Sequence, residues 1–404
     1  MAVLQTDPTM MQELIRKMCL FMIELLFHPD IKALSPSSNN PTSIQYSCFV
    51  LSIFTCVLGL VGNTIVIIIT GFLMKTNKSR IWFLNLAIAD LMFLLILPLN
   101  AVSILKANWP YGQHVCKMYN FLSIANMHAS IFLITALTVD RFLSVMAPIW
   151  HHKFYSPRVC FCACASIWAV TVLSSIPAIV YSQVTEAEGQ SICSLYDFDI
   201  NKFALFGGLT NNLTGGLKEL EDIHEFMGTE EIEQACFIDN FEDIDDIYDI
   251  FQELVNSLLN STKNFLIPLL IIGYFIPLCV IVCCNVSIAC KVRTFETIRS
   301  SKLFCIISAA ILVFFITRTP LVISQFILLV CLQNMEFTLI TRVVLVSPLL
   351  SSIANLNCCL NPIIYVFFGR EVISVFMDFI RRIRYRSTNS SSSVPVTKSR
   401  VSSC

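Results

Sequence analysis

Asp90 stands deep inside an apolar stretch, LNLAIADLM (84–92). A charge in hydrocarbon costs about 2.5–3.5 kcal/mol on insertion scales and marks a functional candidate by default. Its candidate partners are polar side chains at matching depth in other apolar stretches: Asn63, Asn126, Ser130, Asn357 and Asn361. Oxygen ligands around a carboxylate suit a hard cation such as sodium. A protonated Asp90 that merely joins helices is the competing reading. A second candidate is Asp140-Arg141, which closes a long run, 118–139, free of Asp, Glu, Lys and Arg. Cys116 stands at the other end of that run. At ~1.5 Å per helical residue, Cys116 to Arg141 spans roughly 37 Å, more than the ~30 Å hydrocarbon core of a bilayer. The thiol can then sit in an outer, oxidising compartment and the arginine at the inner face. An arginine that only snorkels to the interface is the alternative. Pro362, in NPIIY (361–365), removes a backbone hydrogen bond and bends its stretch.

The rest of the chain must position these groups. Its 404 residues are 55% hydrophobic and only 14% charged, with many apolar runs. Soluble domains carry about 25% charged residues. The 18 cysteines lie mostly inside apolar runs, where they behave as small hydrophobes rather than as a disulfide scaffold. No CxxC pair, metal-spaced His/Cys cluster, Gly-rich phosphate loop or nucleophile–base pair stands out. An enzyme is therefore not expected, nor is a nucleic-acid partner. A transporter predicts broken helices or a repeat between halves, and neither is read here.

Seven apolar spans are expected, at about 48–74, 81–105, 114–147, 158–182, 264–291, 302–331 and 340–368, each near the ~20 residues that cross a bilayer. Helices are the practical form, since an open sheet in lipid leaves backbone groups unpaired. The fold class is an all-α membrane protein, a seven-transmembrane helix bundle with a short amphipathic helix after the seventh span. Basic residues cluster at Lys75, Lys78 and Arg80, at His151, His152, Lys153 and Arg158, at Lys291, Arg293, Arg299 and Lys302, and at Arg381, Arg382, Arg384 and Arg386. Positive charge marks the cytoplasm. The N-terminus is thus expected outside and the C-terminus inside.

Residues 1–47 read as an extracellular tail. In it, Arg16-Lys17 precede MCLFMIELLF (18–27), which mimics a signal peptide, but Glu24 interrupts the run and no small-x-small site follows. An amphipathic segment is the preferred reading there. Residues 183–263 form an oversized, acidic outer loop, with EDIHE (221–225) and EDIDDIYD (242–249); bundle loops usually run about 2–8 residues. Its end, around 232–260, reads as an amphipathic helix. Asn212 and Asn260 begin glycosylation acceptors on the outer side. Tyr248 has the acidic surroundings that sulfation favours. Cys193 lies in the same loop, so a bridge to Cys116 would tie it to the top of span three. Two free thiols are the alternative, and Cys236 is left over, with Cys48 or Cys331 as candidates. Residues 370–386 place Val372, Ile373, Phe376, Phe379, Ile380 and Ile383 on one face and arginines on the other, an amphipathic cytoplasmic helix on membrane lipids. Residues 387–404 are a Ser/Thr-rich tail, disordered by composition.

Taken together, GN (62–63), LNLAIAD (84–90), WPYG (109–112) with Cys116, DRF (140–142), Trp168, Pro177, Pro277, Pro320 and NPIIY resemble the rhodopsin-like (class A) G-protein-coupled receptors. SRIWFLNLAIADL, NWPYGQHVCK and the stretch from Asn126 to Lys153 are similar to the chemoattractant branch, which holds anaphylatoxin, formyl-peptide and chemerin receptors. The resemblance implies a plasma-membrane receptor that binds its ligand between the outer helix ends. It implies an activation switch of Asp140, Arg141, Phe314, Arg318, Pro320, Asn361, Pro362 and Tyr365, and a sodium site built on Asp90 and its polar shell. It implies coupling to an inhibitory G protein, arrestin recruitment through a phosphorylated tail, and roles in cell migration and inflammation.

The sequence also departs from the family. Phe142 replaces the tyrosine after Asp-Arg, and Arg318 stands where the switch tryptophan is usual. Three readings of Arg318 stand: it pairs with an anionic ligand group in a wet pocket, it alters basal activity, or it snorkels. Asn285 replaces the inward tyrosine of span five. The positions that hold a peptide carboxylate in anaphylatoxin receptors fall on Ser182 and Leu269, the acid of span seven falls on Ser347, and the aminergic aspartate position is Ser123. The expected ligand is therefore defined only by the acidic loop, as a basic peptide or small protein steered by charge. A solvated, merely solubilising loop is the plainer reading. The alternative function is a non-signalling scavenger of the same fold.

Overall fold

The computed structural model describes residues 41–73, 78–187, 190–195, 244–295, 302–334, 336–368 and 381. Seven of its helices are long and apolar enough to cross a membrane, from Ser43–Leu73 to Arg342–Ile364. Their outward faces carry Phe54, Val57, Leu173, Ile316 and Phe326, all exposed. In water such a coat would be a liability; in lipid it is the solvated surface.

Span one begins at Ser43, where Thr42 and Gln45 form a capping box. Each satisfies the other's backbone N–H, which fixes the helix start. Span three, Gly112–Met146, is the axis: 61% of its most apolar stretch is buried, against 22–39% in the other six. Trp82, Leu86, Ala129, Leu133, Ile134, Leu137, Ile281, Ile307, Ala310 and Phe314 close the inner half of the core around it. Phe93, Leu94, Leu97 and Cys358 pack a second cluster nearer the outside.

Prolines decide where the helices deviate. Span two breaks between Lys78–Leu94 and Leu97–Lys106. Pro98 has no N–H for the carbonyl of Leu94, and that carbonyl accepts the Cys56 thiol at 3.5 Å instead. Span five is a helix from Ile244, interrupted by a π-turn over Ile271–Phe275 and resumed as Ile276–Phe295. The expected amphipathic segment around 232–260 is thus, from Ile244 on, the outward extension of span five itself.

The π-turn brings backbone close to span three. A Cβ on Gly273 would lie 2.7 Å from His128 Nε2 and 3.1 Å from Met127 Cε. His128 is buried, stacked on Phe132, and Nδ1 shares a 2.9 Å hydrogen bond with Ser174. It cannot retreat without losing that bond. Gly273→Val should therefore destabilise the protein by about 1–3 kcal/mol, read as a lower melting temperature of the purified chain. An unchanged temperature would show that the contact is loose.

Candidate functional site

The outer end of span three is built by a feature absent from the sequence reading, a two-stranded antiparallel hairpin of β1, Gln183–Ala187, and β2, Gln190–Ser194. Val184 faces Cys193 across the pair. Cys193 is bonded to Cys116, the pairing expected from the sequence. Gln113, one turn before Cys116, accepts the Val184 N–H at 2.7 Å and donates to the Ser182 carbonyl at 2.9 Å. Trp109 donates its backbone N–H to Ser191 at 2.7 Å, and Asn108 Oδ1 accepts the Ser191 N–H at 3.0 Å. The WPYG stretch thus grips the hairpin edge. Its Trp109 ring is buried against Tyr111 and Tyr119, and its indole N–H is bonded to Gly112, whose φ of 75° a side chain would strain.

The middle of the site is the polar core, and here GN and NPIIY turn out to be one device. Pro362 cannot donate to the carbonyl of Cys358. That carbonyl accepts Asn63 Nδ2 at 2.8 Å, and the same amide group donates to Gly59 at 2.9 Å. Gly62 lies against the ring itself: a Cβ there would sit 2.7 Å from Pro362 Cβ. Just before, span seven breaks at Leu356 between Phe337–Asn355 and Asn357–Phe368, with short i→i−3 bonds at Leu356 and Cys359.

Asp90 is fully buried beside this break. Its Oδ1 accepts Asn126 Nδ2 at 2.8 Å and Ser130 Oγ at 3.5 Å, and its Oδ2 accepts Asn361 Nδ2 at 3.1 Å. Cys358 donates its thiol to Asn126 Oδ1 at 3.3 Å. Of the expected partners, Asn126, Ser130 and Asn361 bond the carboxylate directly. Asn63 braces the span beside it. Asn357 is buried with both amide atoms unpartnered and makes no bond to Asp90.

The inner end carries the charged latch. Asp140 is 3% exposed, with Arg141 at 3.6 Å and His151 Nε2 at 2.8 Å. The Asp140–Arg141 pair is as expected; His151 adds a second partner that its place in a basic cluster does not predict. It reaches back because Pro148–Phe154 forms a short helix directly after span three, and its ring stacks on Tyr155 at 4.7 Å. Burial pushes the Tyr155 phenol above its usual range, so that it stays neutral beside Asp140. Lys291, at the inner end of span five, donates to the carbonyls of Val145 and Met146 at 2.9 and 3.2 Å. That satisfies the acceptors that a helix C-terminus leaves open.

The departures have definite places. Phe314 is fully buried. Arg318, one turn outward, is 6% exposed inside the bundle, so it does not snorkel. Pro320 lies inside the continuous helix Lys302–Asn334 of span six, next to Thr319, which shares a 2.7 Å hydrogen bond with Tyr274. Asn285 donates to Ile281 of its own helix at 2.8 Å rather than across the bundle. Ser182 is buried and bonded to Asn120, Leu269 packs in an apolar cluster, and Ser347 bonds Val343 of its own helix. Asn260 is exposed. Asn212, Cys236, the Tyr248 and Tyr365 side chains, and the 370–386 helix apart from Arg381 lie outside the described residues. Cys48 and Cys331 are free and buried.

The comparisons with known proteins agree with this geometry. The family model described as 7 transmembrane receptor (rhodopsin family) matches residues 62–209 and 251–365. The chain is 30% identical to chemerin-like receptor 1 of Sus scrofa over 317 residues, 78% of this chain and 75% of that one. It is 28% identical to the C3a anaphylatoxin chemotactic receptor of Oncorhynchus mykiss over 360 residues, 89% and 82% of the two chains. It is 29% identical to the human N-formyl peptide receptor 3 over 323 residues, 78% and 77% of the two. With the family match running through the disulfide anchor, the Asp90 core and the Asp140-Arg141 latch alike, the chain belongs to the rhodopsin family of G-protein-coupled receptors, a signalling family rather than an enzyme family.

Proposed function

We propose that this receptor senses a basic, chemoattractant-type peptide or small protein at the cell surface and signals through an inhibitory G protein to cell migration. One observation carries the reading: a single helix holds the tethered outer hairpin at one end and the Asp140–Arg141–His151 latch at the other. Ligand binding at the hairpin shifts the balance between two packings of the bundle. Arg141 leaves Asp140, and the inner cleft opens to a G-protein helix. The acidic residues of 221–249 raise the encounter rate of a basic ligand, an effect that falls with salt. The phosphorylated tail recruits arrestin, Asn212 and Asn260 carry glycans, Tyr248 is sulfated, and the 370–386 helix rests on anionic lipid.

The test is a screen of basic chemoattractant peptides on expressing cells, with the acidic residues of 221–249 changed to Asn and Gln as control. A fall in cAMP that pertussis toxin abolishes supports the reading, and so does its loss in Arg141→Ala. In the same assay His151→Ala should raise ligand-free signalling several-fold, because Asp140 loses its shorter partner. Unchanged basal signalling would remove His151 from the latch.

A second reading is favoured by Asn285, which turns back on its own helix, and by Arg318 in the switch position. It makes the chain a scavenger that takes up ligand and recruits arrestin without a G-protein response. The double variant Asn285→Tyr with Arg318→Trp would then gain a cAMP response that the natural chain lacks.

A further inference from the structure

Spans six and seven border a cavity of about 800 Å³ on the flank of the bundle. Ligand pockets run to ~300–1,000 Å³. Two facing stripes wall it. Ile316, Ile323 and Ile327 recur at helical spacing on span six, and Val346 and Leu350 do so on span seven. Ile316, Ile323 and Val346 are exposed, so the cavity opens away from the bundle, toward lipid. Its hydroxyls bond their own helix: Thr319 donates to the Phe315 carbonyl and Ser324 to the Leu321 carbonyl. One lining side chain is charged, Arg342. It is exposed and makes no hydrogen bond or ion pair among the described residues.

The groove has a direction. On span six it runs from Phe315 to Ile327, about 18 Å at ~1.5 Å per residue, close to the ~15 Å of hydrocarbon in one leaflet. Arg342 lies in the second turn of span seven, which begins at Phe337. Successive spans alternate in direction, so span seven starts at the same end as span three, the end tied to the hairpin. The cation thus stands at the hairpin end of the groove, and the apolar walls run from it toward the middle of the bilayer. An amphiphile lies the same way, head at the interface and chain inward. Any hydrocarbon tail could fill the walls, so the head decides. A neutral head would leave Arg342 unmatched, and a zwitterionic one would bring its own cation beside it. A carboxylate takes two of the forked N–H groups at once. With the hairpin end outside, as the basic loops read, anionic phospholipids lie in the opposite leaflet. We propose that the cleft between spans six and seven binds a long-chain fatty acid, with its carboxylate on Arg342 and its chain along Ile327, Ile323 and Ile316.

The test uses no peptide ligand and no G protein, so its failure would leave the proposed function standing. Purified full-length receptor in phosphatidylcholine nanodiscs is illuminated with an oleate analogue that carries a diazirine near the end of its chain. Mass spectrometry then finds the labelled residues. Label should fall at the deep end of the groove, around 315–320 and Leu350, and excess oleate should displace it where oleyl alcohol does not. Arg342→Gln should cut this labelling about ten-fold at limiting probe, from the loss of one charged pair, while Arg342→Lys keeps most of it. Ile323→Trp, which fills the groove and leaves the charge in place, should abolish it. Label scattered over the lipid-facing sides of all the spans would overturn the proposal, and so would groove label that Arg342→Gln leaves unchanged. Displacement by oleyl alcohol or by phosphatidylserine as strong as that by oleate would equally contradict a site for a fatty acid carboxylate.

Discussion

Cys116→Ser, Cys193→Ser and the double variant should each lose about 2–5 kcal/mol of stability, by the same amount, since any one change opens the bond that closes a loop 77 residues apart in sequence. The bond joins the first turns of span three to Cys193, next to the end of β2. Without it the hairpin still holds its bonds to Asn108, Trp109 and Gln113. Those are worth about 1 kcal/mol each and share one strand pair. Surface expression and thermal unfolding of the three variants read the effect. Double-variant losses equal to the sum of the singles would mean that the two sulfurs act separately.

Gly62→Val should be the most damaging single change in the bundle interior. The new side chain meets the Pro362 ring at a Cβ distance of 2.7 Å, and the ring cannot rotate away. Overpacking of this kind costs about 1–3 kcal/mol. Pushing span seven outward would also part Asn63 from the Cys358 carbonyl, adding about 1–3 kcal/mol for a buried acceptor left open. Asn63→Ala isolates the second part. Its loss should be smaller than that of Gly62→Val, and the two changes together should cost less than their sum. Thermal unfolding in detergent checks the order. A larger loss in Asn63→Ala would show that the proline contact yields easily.

Much of this was legible in residue types alone. Seven spans follow from apolar length, and Asp90 stands out as an acid in the middle of one of them. Its bonding to Asn126, Ser130 and Asn361 needed only matching depth. Other features were not legible because they depend on which backbone group is left open. Depth alone groups Asn63 with the partners of Asp90, but the geometry makes it the cap of a carbonyl that Pro362 cannot use. His151 looked like one basic residue among several until the turn at Ala147-Pro148 folded it back onto Asp140. The hairpin at Gln183–Ser194 lies in a loop whose sequence has no strong alternation, and its partners sit some 70–80 residues away in Asn108 and Gln113. Gly273 gave no signal at all, since its reason is a histidine on another span.

The central claim is that one helix joins an outer, sulfur-tied hairpin to an inner, charged latch. An epitope inserted in 201–240 and a second one after Cys404 test it most directly, with antibody applied to intact and then to permeabilised cells expressing the receptor. The account predicts that the loop epitope is reached on intact cells and the C-terminal one only after permeabilisation. Both epitopes reached on intact cells, or the reverse pattern, would place hairpin and latch otherwise and contradict it.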